Sequence, residues 1–405
     1  MELAPVTGLS PALGAAFGAR LRQLGLTREY IRRHVEPVDN LKSPLIPQRH
    51  AQFSPMPAAI ALRLLFCRAT VTRPEMKEGL GEALTAAALA GGLLLDDRPA
   101  PFHLRTAGGL YILSDYLDPD GAAAEAVMGA GETTAILWQA AQPSRRLKGV
   151  LDLGCGAGTL ALLLAAHAER VLGTDINPRA VEIARFNAAL NGIANVEFRA
   201  GDLYAPAGPE RFDLIVSQPP YYPKRAGVEL TFLHGGERGD EIPRLVVAGV
   251  EGRLTPHGRA LVFSSWPEED GPDQIAGHNM LALSTNRREL HGTVQSLLAI
   301  ERGAGWLAKR RLAPECWGEI TSSDVDRLLA TERWLHNPDP GGRLRLPSRA
   351  RVLDEAGHRL LELPLVGLTP VDDTLWEAVQ KPETAPAHLA REAARRGLLE
   401  WEPFQ

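Results

Sequence analysis

The chain has 405 residues, 45% hydrophobic and 23% charged, with 44 basic against 49 acidic side chains and a formal net charge of −5. That length gives room for two or three domains with cores of their own, and the acidic balance argues against wrapping long nucleic acid by counterion release alone. Three cysteines, Cys67, Cys155 and Cys316, stand far apart, which argues against a disulfide framework or a cysteine-rich zinc site and fits a reducing cytoplasm.

The N-terminus carries Glu2 and no basic-then-apolar run, so no secretory signal is read there. Arg20, Arg22, Arg28, Arg32, Arg33, Lys42 and Arg49 outnumber four acids in residues 1–50 and read as a solvated helix face. Residues 1–120 read as mostly helical with a small sheet. Ala58 to Cys67 and Met76 to Ala90 are apolar-periodic, the second closed by Gly91-Gly92. Ala83 to Leu95 is apolar but too short for a bilayer, which takes about 20 residues. Phe102 to Leu104 and Leu110 to Leu113, split by Gly108-Gly109, read as a hairpin. Helix, helix and hairpin together resemble a winged-helix module, a form used both for nucleic acid and for packing.

Residues 121–300 alternate strand and helix patterns. Strands are expected at Gly149–Leu153, Arg170–Thr174, Val196–Ala200, Phe212–Ser217 and Arg259–Ser264, with Met280–Ser284 and Gln295–Glu301 as a closing pair. Helices are expected over Thr159–Glu169 and from the Asn177-Pro178 cap to Asn191-Gly192. Repeated β-α units imply a parallel, doubly wound α/β sheet, whose ligands bind outside the carboxyl ends of the strands. Residues 301–405 hold five of the seven tryptophans and are expected to pack a core of their own. Strand-like alternation appears at Arg343–Leu346 and Arg349–Leu353, and Ala385–Leu399 reads as an amphipathic helix.

Two stretches carry chemistry. The first is V-L-D-L-G-C-G-A-G-T, residues 150–159, a strand feeding a glycine-rich turn and a helix. A dinucleotide fingerprint would put its third glycine at position 159, where Thr159 stands. Asp175 ends the next strand, placed to accept from two ribose hydroxyls. With T-D-I-N-P and A-G-D-L further on, residues 148–300 resemble the class I S-adenosylmethionine-dependent methyltransferases. The resemblance implies a Rossmann-like, seven-stranded methyltransferase sheet and S-adenosylmethionine as cofactor. It also implies roles: Gly154, Gly156 and Gly158 line the methionine part, and Asp175 holds the ribose. Ile176 packs on the adenine, Asp202 with Leu203 meets the adenine edge, and Asp152 orders the loop near the amino group. Upstream, Glu132 and Thr133 are candidates to touch the cofactor.

The second stretch is S-Q-P-P-Y-Y-P, residues 217–223. Prolines end the strand, and the loop resembles the Asn, Asp or Ser, then Pro-Pro-aromatic segment of the amino-methylating branch. There two acceptors, a side-chain carbonyl and the carbonyl of the first proline, hold the N–H groups of a planar, weakly nucleophilic nitrogen and aim it at the methyl group. Here the roles fall to Gln218 and Pro219, with Tyr221 covering the flat face of the substrate. Gln218 departs from the pattern by one carbon, and the same residue borders the cofactor; Tyr222 and Lys224 stand beside the pocket. The following L-H-G-G-E-R-G, residues 233–239, resembles the segment downstream of N-P-P-Y in the glutamine N5-methyltransferases of peptide release factors. His234 reads either as a loop histidine or as a proton acceptor.

The expected architecture is therefore a helical, winged-helix-like domain over 1–120, a methyltransferase domain over 121–300 and a small C-terminal accessory domain over 301–405. The expected function is cytoplasmic N-methylation of an amide, guanidine or amine on a protein, peptide or metabolite, without metal and away from membranes. Methylation of an exocyclic base amine on RNA or DNA stays open as an alternative, as does a catalytically inactive binding protein of the same fold.

Overall fold

The structure is a computed structural model, and it describes residues 3–27, 29–30, 56–66, 68–117, 123–224, 230–267, 277–288, 293–303, 305–355 and 358–404. Cys67, Arg28, Arg32, Arg33, Lys42 and Arg49 lie outside the described residues.

The N-terminal part contributes helices α1 (Pro11–Gln23), α2 (Met56–Ala61), α3 (Arg73–Leu80) and α4 (Glu82–Ala90), then a hairpin of β1 (Phe102–Ala107) and β2 (Leu110–Asp115). Ser10 caps α1 through its hydroxyl, with Pro11 at the first position. The single helix expected over Met76–Ala90 is two. Gly81, with φ of +89°, turns the chain between them, so a glycine inside an apolar period ends one helix and begins the next. β2 is buried along its whole length. The hairpin is thus a packing element, not an exposed wing. Gly14 and Gly18 of α1 press against carbonyls of the helix over 178–191, where a side chain would collide with Phe186 and Leu190.

Next come α5 (Glu132–Ala141), β3 (Leu147–Leu153), α6 (Thr159–Leu164), β4 (Ala168–Asp175), α7 (Pro178–Asn191), β5 (Val196–Ala200), β6 (Phe212–Ser217), β7 (Tyr222–Pro223), β8 (His234–Gly236), α8 (Glu241–Ala248), β9 (Leu254–Pro267), β10 (His278–Arg288), β11 (Thr293–Arg302) and β12 (Leu307–Leu312). The central sheet runs β12-β10-β11-β9-β6-β3-β4-β5. All seven expected strands are in it, and β12 is an eighth, parallel to β10. Strands β5, β4, β3, β6 and β9 are parallel, whereas β11 lies antiparallel between β9 and β10. α6 is shorter than the expected Thr159–Glu169 helix. Pairing of Ala168 with Leu147 draws residues 168 and 169 into the sheet, a demand that a nearly all-apolar sequence does not announce.

Alternation along the strands feeds two cores. Val150, Val171, Leu214, Val216 and Phe263 face one side, in a core continuous with Phe17 and Leu21 of α1. Leu151, Leu172, Ile215, Val262 and Leu298 face the other, against Val246 and Val247 of α8. Burial on both faces explains the unbroken apolar runs of β3 and β6.

The remaining chain holds α9 (Ser322–His336), β13 (Gly342–Arg345), β14 (Arg351–Glu355), β15 (His358–Leu363), β16 (Gly367–Pro370), α10 (Asp373–Gln380), α11 (Ala387–Arg395) and β17 (Glu400–Pro403). Leu335, Leu361, Leu375, Ala393 and Leu398 form a separate core with Trp334 and Trp376 at its edge. Trp306 and Trp317 instead join the core of the central sheet. No helix among the described residues is long and apolar enough to cross a membrane.

Candidate active site

The carboxyl ends of β3, β4 and β6 open into a cavity of about 610 Å³, within the range of about 300–1,000 Å³ typical of small-molecule sites. Its floor is the turn after β3. Gly154 and Gly156 have φ of +77° and +51°, backbone that side-chain-bearing residues rarely adopt. Both line the cavity, and a Cβ on either would meet no other atom. A side chain there would stand in the cavity itself. Gly158 is different: it does not line the cavity, and a Cβ would sit 2.9 Å from Ala184 and 3.0 Å from Phe198. The expectation that Gly158 lines the methionine part is therefore corrected. It lets α6 pack against α7 and β5.

The backbone N–H groups of Gly154 and Cys155 donate to Thr174 O at 2.8 and 2.9 Å, tying the turn to β4. Asp175, at the end of β4, accepts from Gly156 N through Oδ2 at 2.8 Å and from Asn177 N through Oδ1 at 2.9 Å. Burial pushes its carboxyl upward, and these two donors oppose that shift. A carboxylate oxygen has more than one lone pair, so both oxygens keep room for a ribose hydroxyl. Asp152, beneath the turn, accepts from Ala161 N at 2.8 Å. Burial raises its carboxyl to about 7, the Ala161 donor opposes this, and the nearby Asp175 charge adds to it.

One wall holds Ile176, Asp202 and Leu203. Ile176 is 58% exposed, a large apolar surface on the cavity wall. Leu203 has φ of +42°, a conformation that costs a branched residue energy and marks a constrained turn. The opposite wall holds Gln218, Pro219, Pro220 and Lys224. Ser217 donates to Leu153 O at 2.7 Å, so the two loops leave the sheet side by side.

Tyr221 does not line the cavity. It is 9% exposed and packs by Tyr222, ring centroids 5.0 Å apart, and by Phe263 at 6.2 Å. The expectation that Tyr221 covers the substrate is corrected. It is an apolar anchor for the loop, and Pro220 forms the surface in its place.

Gln218 reaches across to the first turn of α5. Its Nε2 donates to Thr133 Oγ1 at 2.6 Å, and its Oε1 accepts from the Thr134 hydroxyl at 3.3 Å. These contacts fix which way the amide faces. Thr134 lines the cavity, whereas Glu132 is exposed and neither it nor Thr133 lines the wall.

The H-G-G segment is a partner strand of the proline loop. β7 and β8 run parallel, with Tyr222 N donating to Leu233 O at 2.9 Å and Lys224 N to Gly236 O at 2.8 Å. Gly235 allows the approach, since a Cβ there would lie 2.5 Å from Pro220 O. Glu241 closes the turn, accepting from Arg238 N and Gly239 N at 2.9 and 3.0 Å.

Sequence reasoning missed the groups that hold the cavity's cover. Residues 126–130 lie over it. Asp115, at the end of β2, accepts from Val127 N at 2.8 Å and pairs with Arg179 of α7, whose Nε donates at 2.8 Å. Asn177 donates to Glu125 O at 2.9 Å, and Thr231 N to Ala124 O at 3.0 Å. Asn187 and Asn191 hydrogen-bond the backbone of Leu113 and Tyr111, as a neighbouring strand would. Asparagines at i and i+4 on an otherwise apolar helix face were the available signal. Among the described residues, no three or more His, Cys, Asp or Glu gather as a metal site.

Residues 128–235 match the family model of the methyltransferase small domain. The chain is similar to the release factor glutamine methyltransferases of Xylella fastidiosa, 37% identical over 165 residues, and Deinococcus radiodurans, 38% identical over 169. Each match covers 38% of this chain and 57% of the relative. It is also similar to the ribosomal protein uL3 glutamine methyltransferase of Bradyrhizobium diazoefficiens, 36% identical over 141 residues, covering 29% of this chain and 44% of that protein. The chain thus spans about half the length of the curated relatives it matches. The resemblance to the class I methyltransferases and to their glutamine-modifying branch is borne out over this stretch.

Proposed function

We propose that this chain is an S-adenosylmethionine-dependent N-methyltransferase acting on a side-chain amide of a protein. One observation carries the reading: Gln218 and Pro219 stand in the wall of the same cavity as Gly154, Gly156 and Asp175. A cofactor cradle and an amide-aligning loop thereby open onto one space. The relatives' names, glutamine methyltransferases of release factors and of ribosomal protein uL3, support a protein amide over the guanidine, amine and metabolite acceptors of the initial expectation.

The cradle fits the cofactor, since Gly154 and Gly156 leave open space where any side chain would intrude. Asp175 would hold the ribose, Ile176 and Asp202 the adenine, and Asp152 would face the amino end. When bound, the cofactor supplies an electrophilic methyl group on a sulfonium. The chain's task is then to orient a poor nucleophile. Gln218 Oε1 and Pro219 O accept the two N–H groups of the acceptor amide, and the rigid prolines keep both acceptors still. Pro220 adds an apolar ring to the same wall. Cys155, beside the glycine turn, is a buried free thiol, in keeping with a reducing setting.

The test is incubation with methyl-labelled cofactor and separated protein, RNA, DNA and small-molecule pools, with purified release factor and uL3 as defined acceptors. Label on a glutamine side chain supports the proposal. Label confined to RNA or DNA replaces it with base methylation. Tight cofactor binding with no label anywhere leaves a binding protein.

A further inference from the structure

We propose that Trp317 is a positioning residue for methyl transfer, through which the C-terminal region sets the acceptor side of the cavity; this rests on the amide-methylation reading above. A continuous run of rings leads to it from the proline loop. Between ring centroids, Tyr222 lies 5.0 Å from Tyr221, Tyr221 lies 6.2 Å from Phe263 of β9, and Phe263 lies 5.6 Å from Trp317. All three spacings fall in the contact range of about 4.5–7 Å for aromatic pairs. Tyr221, Phe263 and Trp317 are all buried. Trp317 is fixed in turn: its Nε1 donates to Gln295 Oε1 of β11 at 3.3 Å. It sits in the short helix Pro314–Glu319. Just before that helix, Ala313 N donates to Leu365 O at 3.0 Å, which ties it to the C-terminal region.

The same short helix supports the other side of the loop. α5 packs against Pro314–Glu319 and against α9, and its Ile136 and Leu137 share one core with Trp317, Ile320, Val325 and Leu329. The first turn of α5 carries Thr133 and Thr134, which hold the Gln218 amide. The two supports of the aligning loop, the Tyr221 anchor and the threonine tether, therefore rest on one C-terminal element. The loop needs them, because Pro219 and Pro220 have no N–H with which to tie it back to the sheet. Where Gln218 Oε1 and Pro219 O stand decides how the acceptor nitrogen meets the methyl group, and misplacing reacting atoms by about 1 Å costs up to about 10²-fold in rate. The cofactor cradle is held differently. Gly154, Cys155 and Gly156 are fastened to β4 through Thr174 O and Asp175, with no part in the run of rings. Loss of the Trp317 ring should thus fall on turnover and leave cofactor binding alone.

Trp317→Leu tests the proposal, because it keeps an apolar side chain in the core and removes the ring. Expected are S-adenosylmethionine affinity within a few-fold of wild type by calorimetry and a single-turnover rate lowered by about 10-fold or more. Trp317→Phe keeps a ring, loses only the bond to Gln295, and should retain most of the rate. Phe263→Leu breaks the run one ring earlier and should repeat the defect; it decides the matter if Trp317→Leu does not fold. Tyr221→Leu gives the sharper readout. Since Trp317 acts through Tyr221, the double variant Trp317→Leu/Tyr221→Leu should be about as slow as the slower single variant, instead of slower by the product of the two losses. Wild-type turnover in Trp317→Leu or Phe263→Leu overturns the role of Trp317. So does Trp317→Phe as slow as Trp317→Leu, a double variant whose losses multiply, or cofactor affinity that falls in step with turnover. A wild-type protein that binds cofactor and methylates no amide overturns the underlying reading instead.

Discussion

At the scale of single residues, the change from Asn to Gln at position 218 has a structural account. The extra carbon lets the amide rest on Thr133 and Thr134, and these contacts orient Oε1. Asn is one carbon too short to keep them, so Gln218→Asn should lose turnover nearly as badly as Gln218→Ala. Both should fall about 10²-fold, the scale of a lost transition-state hydrogen bond, with cofactor affinity within a few-fold. Thr133→Val should show a weaker form of the same defect, and single-turnover kinetics separates this from binding. Full activity in Gln218→Asn would make the tether incidental. Asp152 supports a second expectation. Its folded carboxyl sits near 7 against an ordinary value of 3.8, so the fold holds a proton that the unfolded chain has released between those values. Stability of the free protein therefore falls as pH rises through that window. A cationic amino group bound nearby reverses the preference and expels the proton. Calorimetry at pH 7 in buffers of different ionisation enthalpy should detect that release, and Asp152→Asn should abolish it. Heats independent of buffer in the wild type would remove Asp152 from the amino-group site.

At the scale of elements, the parts legible in sequence were those fixed by local chemistry. β5 and β6 match their expected limits, and α7 begins at the expected Asn177-Pro178 cap. Apolar strands, caps and glycine turns need no knowledge of the rest of the chain. What was hidden depends on distant partners. β12 reads L-A-K-R-R-L, and its charges disguise an edge strand whose Arg310 is neutralised by Glu332 of α9. Tyr221 looked like a stacking ring because its burial beside Phe263 is set by β9, far along the chain. The tether of Gln218 to Thr133 spans 85 residues. The role of the H-G-G segment became visible only when β8 paired with β7. Gly235→Ala probes that pairing. Its Cβ would press on Pro220 O, and forcing the strands apart should cost about 1–3 kcal/mol. Thermal melting should show that loss, and turnover should fall further than Tm alone explains. A fully active, fully stable Gly235→Ala would mean that the two strands can separate without consequence.

At the scale of the whole molecule, the N-terminal part belongs to the site's construction as well as to its surroundings. Its core runs without a break into one face of the central sheet, and β2 is fastened to α7 by Asn187 and Asn191. The strand ends at Asp115, where three elements meet: Arg179 of α7, Val127 of the cavity cover and, through Arg179, the backbone of Ala4. The ion pair is deeply placed, with side-chain exposures of 10% for Arg179 and 2% for Asp115. Removing one partner of such a pair strands the other charge and costs about 3–5 kcal/mol. Asp115→Asn should fall toward the lower end, because Arg179 keeps its contact with Ala4 O. The effect should also reach the ligand. Val127 N loses a charged acceptor, so residues 126–130 are held less firmly over the cavity and part of the binding energy goes to ordering them. Chemical denaturation should therefore show the stability loss, and calorimetry should show S-adenosylmethionine binding weakened by about 1 kcal/mol or more, although Asp115 does not itself line the cavity. A destabilised variant that binds the cofactor as tightly as wild type would reduce the N-terminal hairpin to a brace, with no say in how the cavity is closed.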